Sequence, residues 1–390
     1  MSTWAAVMTG KGTGAIATIE LFGDQAGQTA QQVFRRTDST AADLTPGAVA
    51  LGEIVDGDRT LDQVLVGRED RDLYAIHCHG NPLIVESVVA LLDRSGATLV
   101  TPETLRARVL AAGGADAIQI EARLAQARAR TLEGIRLIAN QVTWGLRPVV
   151  TGWPERTVDD IKDQAARILA DSLPARLLIE GCTTAIVGPP NTGKSTLFNR
   201  LTGRDNALVS DVPGTTRDWV RAECRIGPLC LDLIDTAGLD DSLHDPLDTA
   251  SQARTVEVAA GADLILLVLD SSRAAEPLAD RLRRVIGKKV VPILNKCDLC
   301  SSPDLLDLTP EAIRISARLG TGMAPLAEAI RRITGVAGLP PTAPVAFTDR
   351  QRGMMARLTE VQSRGEALDL AHRLLHGPIE GQPAFLGPRL

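Results

Sequence analysis

No run of about 18 or more apolar residues occurs anywhere in this 390-residue chain, and its first residues lack a charged segment followed by an apolar core. The sequence pattern of a membrane-spanning helix is missing, as is that of a secretory signal, so a cytoplasmic protein with no membrane partner is expected. Basic residues are not in excess either. The 42 Lys and Arg stand against 48 Asp and Glu, a formal net charge of −6, which argues against a broadly basic nucleic-acid-coating surface while permitting a local basic patch. Cysteine is sparse and scattered, six residues at 78, 182, 224, 230, 297 and 300. Cys297 and Cys300 form a C-x-x-C, but no second pair follows at zinc-ribbon spacing, which argues against a metal or redox role. His77 and His79 flank Cys78 on an expected strand, Leu73–His79, whose alternation puts both imidazoles on one face. With no carboxylate or third ligand nearby in sequence, a packed or hydrogen-bonded pair is expected there rather than a metal site.

What the chain does carry is a set of four short motifs in order: Gly188-Pro-Pro-Asn-Thr-Gly-Lys-Ser195, Asp235-Thr-Ala-Gly238, Asn295-Lys-Cys-Asp298 and Ser316-Ala317. The first fits G-x-x-x-x-G-K-S, a loop whose glycines let backbone N–H groups surround phosphates. An apolar run at 184–187 precedes it and a helical stretch at 195–201 follows, and the start of that helix adds partial positive charge. Gly188, Asn191, Gly193, Lys194, Ser195 and Thr196 are thus expected around the phosphates of GTP or GDP. Lys194 would lie against the β/γ oxygens and the Ser195 hydroxyl on Mg²⁺. A second apolar strand, 229–234, ends in Asp235, whose carboxylate would hold Mg²⁺ through water while the Gly238 N–H faces the γ-phosphate.

Asn295, Lys296 and Asp298 follow an expected strand at 290–294 and should read the base. Guanine presents two adjacent donors, N1–H and the N2 amine, to one carboxylate. Adenine has no such pair and would leave Asp298 unpaired, at roughly 1–3 kcal/mol or more. Ser316 and Ala317, after a short strand at 313–315, would place a backbone N–H near the guanine carbonyl. Any one of these motifs alone could be an ordinary loop; four in order and in context point to a GTP-binding domain.

The length predicts two or three domains. Residues 1–100 combine strand-like alternation at 15–22, 61–66 and Leu73–His79 with a helix at 83–92, the pattern of a small α+β domain. From Thr101-Pro-Glu-Thr104, which resembles a helix start, to 180 the pattern is helical, rich in alanine, leucine and arginine. The GTP-binding domain occupies 181–335. A Gly/Pro break then leads to a last helix at 349–375, so that 101–180 and 340–390 form one helical domain interrupted by an α/β P-loop GTPase domain. If the last helix packs on the earlier ones, movement of the inserted domain can reach them.

The layout, the Asp211-Val-Pro-Gly-Thr-Thr-Arg-Asp218 stretch and the pieces Gly10-Lys-Gly-Thr-Gly14 and Ile76-His-Cys-His-Gly80 resemble the MnmE (TrmE) family, the GTPases of tRNA wobble-uridine modification. The resemblance implies a folate-binding, dimer-forming N-terminal domain, a helical domain with an inserted GTP-binding domain, and a flavoprotein partner acting with it on tRNA. It also implies that Asn191 ligates K⁺, that 210–216 folds over that ion, and that Thr216 closes on Mg²⁺. Leu239 stands where Ras-type GTPases keep a water-positioning glutamine, which fits a family that uses K⁺ instead. The family's catalytic glutamate falls on Asp248, one methylene shorter.

The chain departs from the family elsewhere. The folate-contacting arginine falls on Glu20, a strand glutamate on Ala75 and a lysine on Gly114, with Asp116, Gln119 and Glu121 keeping register. The family's terminal Phe-Cys-Ile-Gly-Lys is replaced by Ala384-Phe-Leu-Gly-Pro-Arg-Leu390, without cysteine. Two readings stay open on sequence. One is a working modification GTPase with unusual terminal sites; the other is a paralogous switch that keeps GTP hydrolysis without the one-carbon chemistry. A ribosome-assembly GTPase would share the GTP motifs but would not account for the N-terminal glycines or Ile76-His-Cys-His-Gly80.

Overall fold

The computed structural model describes residues 2–10, 12–37, 44–203, 220–235, 257–272, 289–299 and 311–378. The chain divides into two compact units, Met1–Leu124 with His376–Leu390, and Ala125–Leu375. No helix among the described residues is long and apolar enough to cross a membrane.

The first unit is built on a seven-stranded sheet in the order β3-β4-β5-β6-β2-β1-β7. Its strands are β1 (Thr3–Val7), β2 (Ile16–Phe22), β3 (Phe34–Arg36), β4 (Val49–Asp56), β5 (Arg59–Asp70), β6 (Leu73–His79) and β7 (Ala97–Leu99). Pairing is antiparallel except between β1 and β7. Alternation along β2 sends Ala17, Ile19 and Leu21 into a core with Ile76 and Cys78 of β6 and the helices α1 (Ala26–Val33) and α2 (Pro82–Arg94). The opposite face carries Thr18, Glu20 and Phe22, and α3 (Pro102–Ala112) packs against it at β1, capped by the Thr101 hydroxyl accepting from Thr104 N at 3.2 Å. His77 and His79 do share a face but find different partners. His77 Nδ1 meets Thr18 Oγ1 at 3.0 Å, and His79 Nδ1 meets Asp62 Oδ1 of the hairpin partner β5 at 2.7 Å. No cluster of three or more His, Cys, Asp or Glu suited to a metal occurs among the described residues. α4 (Ala117–Gln126) closes the unit and runs across its boundary.

The second unit holds a six-stranded sheet in the order β13-β12-β11-β8-β10-β9. Its strands are β8 (Cys182–Val187), β9 (Val220–Ile226), β10 (Leu229–Asp235), β11 (Leu264–Asp270), β12 (Lys289–Asn295) and β13 (Ile313–Arg314). All pair in parallel except β9, an antiparallel edge hairpin on β10. A parallel strand covered on both faces must be apolar throughout, and Leu264-Ile-Leu-Leu-Val-Leu269 is. α8 (Lys194–Thr202) and α9 (Met323–Thr334) belong to this unit, with Leu197, Phe198, Leu326 and Ile330 in its core.

The helices α5 (Leu132–Thr143), α6 (Leu146–Thr151) and α7 (Val158–Glu180) precede the sheet, and α10 (Asp349–Leu358) and α11 (Arg364–His376) follow it. The single last helix expected at 349–375 is in fact these two. The break comes at Thr359–Gln362, and Ser363 restarts the helix as a cap, its hydroxyl accepting from Glu366 N at 3.2 Å while Glu366 Oε2 accepts from Gln362 N at 3.3 Å. α10 packs on α7, and the segment arriving from the sheet is stitched down on the way. Ala346 N donates to Ser172 Oγ at 2.8 Å. The fully buried Gln141 does more. Its amide donates to Leu137 O and Ala343 O at 3.0 and 2.9 Å, and its carbonyl accepts from Leu146 N and Val345 N at 2.9 and 3.0 Å.

Gln141→Leu fills similar volume but leaves three backbone groups of buried residues, Leu146 N on one segment and Ala343 O and Val345 N on another, without this partner, at about 1–3 kcal/mol each before relaxation. Denaturant unfolding should show a loss of about 2–4 kcal/mol. A midpoint within error of the wild type would show that water replaces the amide.

Candidate nucleotide-binding site

β8 ends at Val187 and α8 begins at Lys194, so residues 188–193 form the strand-to-helix loop that the first motif demands. Two of its glycines are fixed by space. A Cβ on Gly188 would stand 2.1 Å from Val268 O, and one on Gly193 would stand 2.4 Å from Asn295 Nδ2. Gly193 has φ 92° and is the residue from which α8 starts. Asn191 is one of two described non-glycine residues in the left-handed region, with φ 62°; the other is Lys296, with φ 63°. The buried Lys194 lies back along the loop, its ammonium donating to Gly188 O and Pro189 O at 3.0 Å each. Ser195 and Thr196 occupy the exposed first turn of α8.

The guanine motif meets this loop directly. The Asn295 amide nitrogen donates to Thr192 O at 2.9 Å, and its oxygen accepts from Ala317 N at 2.9 Å. One buried side chain thus joins the phosphate loop to the Ser316–Ala317 turn. Lys296 donates to Asn191 O at 2.5 Å and to Asp270 Oδ2 at 2.7 Å. Asp298 is exposed, and a hydrogen bond from the Ser316 hydroxyl, with its own backbone N–H, holds its carboxyl below the usual range. Asp235 ends β10 beside Ile186 of β8, buried and one position before the strand enters the loop. Ser195 and Asp235 supply hard oxygens, a donor set suited to Mg²⁺. Gly238, Thr216 and Asp248 lie outside the described residues, as do 210–215 and Leu239.

Three contributors were missed in the sequence. Asp270 ends β11, in register with Asn295 across β12, and its carboxylate accepts from Lys296, from Ser272 N at 3.0 Å and from Ser272 Oγ at 2.7 Å. Burial pulls its carboxyl upward, but those bonds prevail and hold it below its ordinary value. A carboxylate closing an otherwise apolar strand was the available signal. Arg200 reaches from α8 to Ala317 O at 2.9 Å and Arg318 O at 2.5 Å, and Thr192 locks the loop through its bond to Pro189 O at 3.0 Å. Neither carries a spacing signal.

Burial pushes the thiols of Cys182, Cys224 and Cys230 up to about 12, so they stay protonated at neutral pH. Cys297 is a free thiol on the base-motif turn, and Cys300 lies outside the described residues.

Residues 183–296 match a family model described as 50S ribosome-binding GTPase, and residues 3–113 match one described as GTP-binding protein TrmE N-terminus. Among curated proteins the chain is 31% identical over 371 residues to the tRNA modification GTPase MnmE of Enterococcus faecalis, covering 82% of this chain and 78% of that protein. It is 31% identical over 380 residues to the protein of that name from Lacticaseibacillus paracasei, covering 85% and 80%. The match to the one from Acetivibrio thermocellus is 27% over 375 residues, covering 85% and 81%.

The N-terminal resemblance implies a folate, and Glu20 stands where its arginine anchor would be. Glu20 pairs across the sheet with Ala6 on one side and Ala75 on the other. Its carboxylate is buried, Oε2 has no partner, and the nearest cation, Arg106 of α3, is 3.6 Å away. Gly114 has φ 83° with nothing within 4 Å of where a Cβ would stand. Asp116 and Gln119, which keep the family register, are engaged in capping α4, through Asp116 N to Gln119 Oε1 at 2.9 Å and Gln119 N to Asp116 Oδ1 at 3.0 Å. A buried carboxylate flanked by alanines does not suit an anionic ligand anchored by arginine and lysine.

Burial is the main force on Glu20 and raises its carboxyl above the ordinary 4.5; Arg106 and His77 pull it down, and Glu69 pushes it up. A carboxyl raised on folding contributes its stability below the unfolded value and loses it as pH rises through the folded one. Glu20→Gln should therefore gain stability relative to the wild type between pH 4 and pH 7, read by urea unfolding at several pH values. A difference that is flat over that range would remove the ionisation argument.

Proposed function

The chain belongs to the MnmE family of tRNA modification GTPases, and from that premise we propose that it hydrolyses GTP in the service of tRNA modification, with the roles set out below. The observation that carries this reading is the Asn295 amide bonded at once to the phosphate loop and to the Ser316–Ala317 turn. A nucleotide held at both ends is read as guanine by Asp298 while Gly188, Asn191, Gly193, Lys194, Ser195 and Thr196 surround its phosphates.

Lys194 is placed by its buried stem and supplies positive charge to the β/γ oxygens. The Ser195 and Thr216 hydroxyls and Asp235 would hold Mg²⁺, which would supply positive charge against the negative charge developing on the phosphates. Asp235 and Gly238 sense the γ-phosphate, and Asp248 takes the part of the family's catalytic glutamate. Lys296, held by Asp270, props Asn191 from beneath the loop. The helices α5–α7, with α10 and α11, form one domain into which the GTP-binding domain is inserted. By family resemblance a second copy meets the first through the N-terminal domain, and a flavoprotein shares the tRNA substrate. The relatives bear the name tRNA modification GTPase along four fifths of their own length, so this reading is better supported than a switch that has left modification behind.

In a strain lacking its own modification GTPase, this chain should restore modified tRNA nucleosides by mass spectrometry, whereas Asp298→Asn should not. The same variant should bind GTP about ten- to a hundredfold more weakly and prefer xanthosine triphosphate, whose C2 carbonyl accepts from the new amide. Equal binding of ATP and GTP by the wild type would overturn the reading of the base, and wild-type hydrolysis without restored nucleosides would overturn the tRNA role.

The potassium assignment is separate. Asn191 is exposed in a left-handed turn of the loop, and a cation at its side chain would supply the charge that an arginine finger supplies elsewhere. Turnover should be faster in K⁺ than in Na⁺, with Asn191→Ala removing the difference. Equal rates in both salts would refute it.

A further inference from the structure

The edge hairpin β9–β10 presents a problem in electrostatics that the sheet itself does not solve. Glu223 of β9 and Asp232 of β10 stand directly opposite each other in the antiparallel register, and like charges so placed destabilise a strand pair. The cation that meets them comes from the helical segment. Arg130, in the turn between α4 and α5, forks onto Asp232 with Nη1–Oδ2 at 2.5 Å and Nη2–Oδ1 at 2.8 Å, and its Nη2 lies 3.2 Å from Glu223 Oε2. A planar guanidinium gripping a carboxylate in two places fixes direction as well as distance.

The base of this fork is rigid. Arg130 N donates to Ile179 O at 2.9 Å, and its Nη1 also donates to Glu180 O at 3.3 Å, so it occupies the last carbonyls of α7. Next to it Thr131 donates to Leu178 O at 2.6 Å and caps α5 by accepting from Gly134 N at 2.9 Å. The approach leaves no room for a side chain at Gly181, φ 92°, where a Cβ would lie 2.7 Å from Arg130 Nη1.

The position of the grip along the hairpin gives it a consequence. Asp235 and Val220 face each other at the hairpin's open end. The sequence there runs on into Thr236-Ala-Gly238 from one strand and comes in from Val212–Asp218 on the other. Asp232 and Glu223 are each three residues from that end, about 10 Å of strand. One arginine therefore adds to the β8 pairing a polar tie between the strand carrying Asp235 and the α5 and α7 ends.

We infer that Arg130 is a positioning residue for GTP hydrolysis, holding the β9–β10 hairpin through Asp232 and Glu223 so that Asp235 meets the nucleotide in register. The same grip is the route by which a shift of that hairpin reaches α5 and α7. The inference rests on the GTPase reading above, and its failure differs from failure of that reading, because the wild type is measured first and must hydrolyse GTP.

A second arginine supplies the control. Arg176 of α7 pairs with Asp263, which also accepts from Thr183 N at 3.0 Å at the opposite end of the parallel strands, where β11 begins. It anchors the same helix to the sheet without touching the hairpin. Steady-state hydrolysis and fluorescent-GDP binding should be measured on the full chain for Arg130→Ala, Arg130→Lys, Arg130→Glu, Arg176→Ala and the exchanged pair Arg130→Glu with Asp232→Arg, each with its melting temperature. Arg130→Ala should lower kcat about tenfold with KM and GDP affinity within twofold. The lysine variant, which loses the fork, should fall between it and the wild type, and the exchanged pair should recover at least part of the loss. Arg176→Ala should keep kcat even where its melting temperature falls as far. An unchanged kcat in Arg130→Ala, or an equal loss of kcat in Arg176→Ala, would overturn the inference. So would an exchanged pair that folds but turns over no faster than Arg130→Glu alone.

Discussion

Much of the nucleotide site depends on the space left by one missing side chain. The Asn295 amide reaches Thr192 O only because Gly193 has no Cβ to meet it at 2.4 Å. The same amide, through its oxygen, fixes Ala317 N, and Arg200 then secures the carbonyls of Ala317 and Arg318 from the helix that Gly193 starts. Phosphate loop, α8, base motif and Ser316–Ala317 turn are thus one closed circuit of bonds. Lys296 adds a second link beside it, to Asn191 O on one side and to the buried Asp270 on the other. Two backbones in the left-handed region, Asn191 and Lys296, face each other across that link. Such strain persists where surrounding bonds over-determine it, and here they do.

Much of this was legible in the sequence, for a physical reason. A parallel sheet is covered on both faces, so its strands read as unbroken apolar runs, and each motif begins where such a run stops. The ends of β8, β10 and β12 at Val187, Asp235 and Asn295 place the phosphate loop and two of the other motifs at one edge of the sheet. Bonds between distant segments were not legible. Gln141 accepts from Val345, 204 positions on, and no spacing rule relates the two. The break between α10 and α11 carries a signature in Ser363-x-x-Glu366, a capping pattern that follows Val361 across the apolar-free stretch 362–366.

Glu20 shows a different limit. Alternation along β2 correctly puts it on the face away from the α1/α2 core, which by pattern alone would be a solvated position. The coverage comes from α3, whose Arg106 approaches it and whose Arg108 stacks over Trp4 at 4.3 Å. Whether a polar strand position is wet depends on what later packs over it, and the strand's own sequence holds no record of that. The result is a carboxylate with one oxygen unpartnered between two alanines, where the family resemblance puts a cation. The GTP site and the N-terminal site of this chain are therefore under different constraints. In the first, the phosphate loop, Asn295, Lys296 and the Ser316–Ala317 turn are tied to one another; in the second, Glu20 between Ala6 and Ala75 has only an imperfect partner in Arg106.

The two arginines that join the helices to the sheet of the second unit differ in what they hold. Arg176 meets Asp263, which is bonded to Thr183 N at the start of β8 and leads into β11, an all-buried strand with neighbours on both sides. That anchor has little freedom to shift without opening the core. Arg130 meets β9 and β10, the last two strands on one side of the sheet, where β9 has a neighbour on one side only. Packed cores resist continuous deformation, and β10, paired with β8 from Leu231 to Asp235 and buried, shares in that resistance, whereas β9 is held by β10 alone. The helices are thus tied through Arg176 to the start of the central parallel strands and through Arg130 to the two strands at the margin of the sheet.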